Sequence, residues 1–87
     1  MVLFGIDFWL KSSNESVVLF ALKLVKTYHR YELYHEVLSC LKHINPEIRL
    51  QAIVVLRKLL SEETAPALIT LYPHETLRNK LAILQTL

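Results

Sequence analysis

The chain has 87 residues, of which 53% are hydrophobic, and a formal charge of +2 with acids and bases interspersed. That length holds one domain with one continuous core, and a single glycine with no low-complexity stretch argues against disorder and removes any glycine-rich phosphate loop. Cys40 alone cannot form an internal disulfide, the charge is too weak for a phosphate-tracking surface, and no run reaches the roughly 20 apolar residues that span a bilayer.

The opening segment, from Met1 to Leu10, is apolar but lacks a basic start and a small-residue cleavage site. It reads as a first amphipathic helix, with the tail of a membrane helix as the alternative. A second helix starts at Asn14-Glu15-Ser16-Val17, where Ser12 and Glu15 have capping-box spacing, and carries Val17, Ala21, Leu24 and Val25 on one face. A third is expected from Glu32 to Lys42, with Tyr34, Val37, Leu38 and Leu41 on its apolar face. The short linker His43-Ile44-Asn45 forces it back antiparallel against its successor.

That successor gives the clearest signal, from Pro46 to Leu60. Asn45 suits the N-cap, Pro46 the first helical position and Glu47 the positive end of the dipole. Ile48, Ala52, Val55 and Leu59 form its stripe, widened by Ile53 and Leu56. Thr64 to Tyr72, with Pro66 in its first turn, is the next helix, and a last one opens near Leu77-Arg78.

Val17, Ala21, Leu24 and Val25 align with Ile48, Ala52, Val55 and Leu56 at an offset of 31 residues, and Leu77-Arg78 matches Ile48-Arg49 at an offset of 29. A period near 30 with paired helices is the signature of an α-solenoid. The expected architecture is therefore all-α, an α-solenoid of about three antiparallel helical hairpins. One domain covers 1–87, with repeats at approximately 1–28, 29–60 and 61–87.

The second helix of the middle hairpin, Asn45-Pro46-Glu47-Ile48-Arg49 followed by Ala52, resembles the HEAT repeat family, whose second helix opens with a turn residue, then Val-Arg and an Ala four residues after the Val. His74-Glu75-Thr76-Leu77-Arg78 is a weaker copy. Val18 stands in the Arg position of the first repeat and Leu81 in the Ala position of the third. The resemblance covers nearly the whole chain and implies fold more than activity. It gives Asn45, Arg49, Ala52 and Arg78 structural roles. In the family such an Arg pairs with an acidic loop residue. Here the loop offers His43 and Asn45, so Arg49 is expected to bond backbone carbonyls.

No set of residues assembles a catalytic or metal centre. Glu32-x-x-His35 has di-iron spacing but occurs once, and such sites need two copies and two more Glu. Cys40-x-x-His43 lacks the further ligands of a structural zinc and the oxyanion site of a cysteine nucleophile, so Cys40 reads as a small hydrophobe. His35-Glu36 lacks the second His of a zinc-protease helix, with Ser39 in its place. The expectation is no enzyme, no cofactor and no metal.

The expected function is a non-catalytic protein-interaction scaffold that binds along the ridge of second helices. The repeat alignment places Phe20, Gln51 and Lys80 in one exposed row and Lys23, Val54 and Ile83 in the next. Lys26 and Arg57 form a third row, and Thr27 and Lys58 a fourth. Such a strip is basic with apolar inlay and fits an acidic peptide or helix. Tyr28 and Tyr31, in an unusual run of Tyr, His and Arg, join the candidate surface. The alternative is nucleic-acid binding through Lys23, Lys26, Arg30, Arg57, Lys58 and Lys80, which the low net charge disfavours. Phe4, Phe8 and Trp9 at one end, and Leu81 to Leu87 at the other, lack polar covering helices. They suggest a segment of a longer repeat protein and a tendency to self-associate end to end.

Overall fold

The computed structural model describes residues 5–58 and 61–87. Six α-helices make up this part, and no strand occurs among the described residues. They are α1 (Ile6–Trp9), α2 (Glu15–Tyr28), α3 (Tyr34–Cys40), α4 (Pro46–Leu56), α5 (Thr64–Leu71) and α6 (Leu77–Thr86). The expectations for Met1 to Phe4, Leu59 and Leu60 lie outside the described residues.

Local chemistry explains the boundaries. Asn14 caps α2 by accepting from the Ser16 amide at 3.0 Å, and Asn45 caps α4 by accepting from the Glu47 amide at 2.8 Å. The Ser12–Glu15 capping box does not form, because Ser12 Oγ instead accepts from the Asn14 amide. Thr76 caps α6 through the Asn79 amide at 3.2 Å. α2 stops at His29, which adopts the left-handed conformation with φ 52°. A 3-10 turn at Tyr31–Leu33 precedes α3, so that helix is shorter than its apolar pattern suggests.

α4 is the centre of the molecule, packed on α2, α3 and α6, while α1 packs on α2. Ile48, Ala52 and Val55 form one buried stripe and Leu50, Ile53 and Leu56 a second. A surface helix buries one stripe, whereas a helix with neighbours on several sides buries more. The core continues through Val18, Ala21, Leu22 and Val25 of α2, Val37 of α3, Leu68 of α5 and Ile83 of α6. The molecule is a flattened body of 37 × 25 × 16 Å. No helix is long and apolar enough to cross a membrane among the described residues.

The caps Asn14, Asn45 and Thr76 follow one another at intervals of 31 residues. The interval sets the correspondence between α4 and α6 at 31 residues and corrects the offset of 29. Asn79, not Leu77, stands in the place of Ile48 and is buried, whereas Leu77 is exposed. Ile83 stands in the place of Ala52 and is fully buried, so its expected place in an exposed row is wrong. Arg78 likewise is the counterpart of Glu47 rather than of Arg49, and lies on the surface.

Candidate interaction surface

α2 and α4 lie side by side, and a cleft of about 380 Å³ runs between them. Leu19, Leu22 and Val55 give it apolar walls, with Lys23 and Lys26 on one lip and Glu47 and Gln51 on the other. The helical period produces this, since Leu19, Leu22, Lys23 and Lys26 fall at steps of three and four on one side of α2. Gln51 Nε2 donates to Glu47 Oε1 at 3.2 Å, which ties down the acidic lip. Lys23, Lys26, Thr27 and Lys58 are exposed, as is Phe20, whose ring lies 6.5 Å from that of Trp9. Val54 is half-buried.

The remaining cations of the expected ladder are engaged within the protein. Arg57 Nε donates to Thr86 Oγ1 at 3.0 Å, and its Nη2 donates to the Ala82 carbonyl and Gln85 Oε1. Lys80 lies over the Tyr72 ring, 5.3 Å from its centroid. Arg30 pairs with Glu32 at 3.0 Å. Tyr31 hydroxyl bonds His29 Nδ1 at 2.8 Å, and Tyr28 is exposed.

The helix N-termini are joined by a polar network that sequence reasoning found only in part. Arg49 Nη1 donates to the carbonyls of His43 and Ile44 at 2.8 and 3.0 Å, which is the expected backbone role. Its Nε and Nη2 also grip both carboxylate oxygens of Glu75, at 2.6 and 3.1 Å. The acidic partner thus comes from the following inter-helix loop, not from the loop before Arg49. Asn79 Nδ2 donates to Glu75 Oε1 and to the Pro46 carbonyl, each at 3.0 Å. Burial pushes the Glu75 carboxyl up, but the bonds from Arg49, Asn79 and the Thr76 amide outweigh it and hold the carboxyl below its ordinary value. Outside this knot, Arg78 reaches Glu47 Oε2 at 3.0 Å and Asn45 Nδ2 reaches Glu15 Oε1 at 2.9 Å.

A larger groove, about 660 Å³, opens between α3 and α5 and was not foreseen. Leu38, Leu41, Ala67 and Leu71 line it, and His35, Lys42 and His74 stand at its rim with Glu63. At one end Tyr34 hydroxyl bonds Thr64 Oγ1 at 2.7 Å and also Ser61 Oγ, which holds α3 to the start of α5.

The reactive side chains do not converge. Cys40 is buried with Sγ 4.0 Å from the Leu10 carbonyl, and burial pushes its thiol up to about 11. His43 Nδ1 accepts from the Asn45 amide at 3.0 Å and so serves the loop. His35 lies 4.0 Å from Glu63 rather than joining Glu32 at a common site. Among the described residues no three His, Cys, Asp or Glu side chains are grouped as metal ligands.

The chain matches no family model, no curated protein and no solved structure.

Proposed function

We propose that this chain is a HEAT-like α-solenoid unit that acts as a non-catalytic scaffold and binds an acidic, amphipathic peptide or helix along α2 and α4. The observation that carries this reading is the α2–α4 cleft, whose apolar walls are Leu19, Leu22 and Val55 and whose open lip bears Lys23 and Lys26. An acidic amphipathic ligand would bury leucine-like side chains there and meet both ammonium groups at the edge. The recurrence of caps at Asn14, Asn45 and Thr76 supports the solenoid part of the reading. Nucleic-acid binding is the weaker reading, because Arg30, Arg57 and Lys80 are engaged within the chain and only Lys23, Lys26 and Lys58 of that ladder remain for phosphate.

A fluorescence-anisotropy titration with a synthetic peptide of alternating leucine and glutamate turns tests the reading. Lys23→Glu with Lys26→Glu should weaken binding by about tenfold or more, since like charges then face each other across the edge. Ala67→Glu, in the α3–α5 groove, should leave it unchanged. Binding that survives the double reversal and fails with Ala67→Glu would move the site to that groove.

A further inference from the structure

We propose that the groove between α3 and α5 is a second binding site, which takes a free single-chain carboxylate of medium length, an ionised fatty acid. Its volume of about 660 Å³ lies in the range of small-ligand sites. Its walls are aliphatic. Leu41 is buried, and Leu38, Ala67 and Leu71 are half-buried, so each turns part of its surface into the groove. The Ser39 hydroxyl donates to the His35 carbonyl at 3.1 Å and is thereby spent on its own helix. The flanking helices, Tyr34–Cys40 and Thr64–Leu71, give walls about 10–12 Å long.

The two ends of the groove differ. At one, Tyr34 at the start of α3 bonds Thr64 at the start of α5 and also Ser61, and this hydroxyl bridge closes the gap between the helices. At the other, Lys42 follows the end of α3 and His74 follows the end of α5, and both line the opening. Lys42 is exposed, and its ammonium has no ion pair or side-chain hydrogen bond among the described residues. Glu63, the one acid that lines the groove, stands at the bridged end, 4.0 Å from His35. The groove is therefore apolar along its length, bridged at one end and cationic at its mouth.

That polarity selects the occupant. An extended peptide running through the groove needs both ends open and partners for its backbone, and aliphatic walls offer none. A molecule with one apolar tail and one anionic head matches the groove at both ends. The tail lies between Leu38 and Leu71, and the carboxylate accepts from the Lys42 ammonium and from a His74 ring N–H. A cationic head would instead meet Lys42 as a like charge. The site does not depend on the scaffold reading, since Lys23 and Lys26 line the other cleft.

The test is calorimetric titration of the full chain with decanoate, kept below the concentration at which it forms micelles. One molecule should bind per chain, and from octanoate to decanoate each added methylene should tighten binding about twofold to fourfold. Lys42→Glu changes an exposed residue, so it should keep a helical circular dichroism spectrum and weaken decanoate binding by about tenfold or more. Lys23→Glu with Lys26→Glu should leave it unchanged, which separates this site from the α2–α4 cleft. Decyltrimethylammonium, with the same tail and the opposite charge, should bind about tenfold more weakly or worse. The proposal fails if decanoate shows no saturable binding, if the cationic amphiphile binds as well, or if Lys42→Glu changes nothing. It fails also if the chain sediments as a dimer that Ala67→Glu dissociates, because a second copy then fills the groove.

Discussion

Arg49 on α4 and Glu75 ahead of α6 form a two-pronged ion pair in which the carboxylate side chain is fully buried. It joins two helices through residues 26 apart in sequence, and every polar atom of the pair has a partner. Buried pairs of this kind are weak sources of net stability but are costly to break, because the survivor is left charged and dry. Arg49→Ala should therefore cost about 3–5 kcal/mol. Glu75→Gln should cost less, about 1–3 kcal/mol, since Arg49 keeps the His43 and Ile44 carbonyls. Urea unfolding of the two single variants and the double variant measures both. The two losses should not add, because the side chains touch.

The same pair gives the chain an acid sensitivity of known sign. The folded Glu75 carboxyl titrates below its ordinary value, so the unfolded chain binds the proton more readily. The stabilisation is complete above the unfolded carboxyl value, about 4.3, and is lost as pH falls through the lower folded value. The melting temperature of the wild-type chain should drop more between pH 6 and pH 3, taken as roughly the window on either side of that value, than that of Glu75→Gln.

Ala52 lies fully buried at mid-helix, between two other buried residues of its stripe, Ile48 and Val55. There is no room for a larger group without displacing neighbours. Ala52→Leu should destabilise by about 1–3 kcal/mol through overpacking. An unchanged urea midpoint would show that α4 is turned differently about its axis.

Cys40 should behave as a packed hydrophobe. Burial raises its thiol to about 11, so almost no thiolate exists at neutral pH. Reaction with a disulfide reagent should be slow in buffer and fast in urea. Rapid native reaction would mean that Cys40 reaches solvent by local opening.

Much of the fold was legible in the sequence, for reasons that particular residues show. Asn14 and Asn45 announce their helices because a capping side chain acts on amides two residues away, and that chemistry is local. The offset of 29 arose because Leu77-Arg78 resembles Ile48-Arg49, an aliphatic residue followed by Arg in each. The cap at Thr76 sets the true register and puts Asn79 in an apolar slot. A buried Asn that bonds Glu75 and the Pro46 carbonyl breaks the apolar period from which helix faces are read. Ile83 was placed on the surface by the same slip. Glu75 was not recognised as the partner of Arg49 because the pairing skips from one inter-helix loop to the next. The α3–α5 groove depends on the spacing of two helices that no local pattern encodes.

The helix contacts are unequally fastened, and this governs how the molecule yields under load. α4 and α6 are held at their N-termini by Arg49, Glu75, Asn79 and Arg78, and at their far ends by Arg57 bonded to Thr86 and Gln85. Between α2 and α4, among the described residues, the one side-chain hydrogen bond is the exposed contact of Asn45 with Glu15. A joint closed mainly by apolar packing slides and twists more readily than one pinned at both ends. Under load the α2–α4 joint is therefore expected to give before the α4–α6 joint. Because the lysine-lipped cleft lies along that seam, a ligand seated in it would stiffen the softer joint of the molecule.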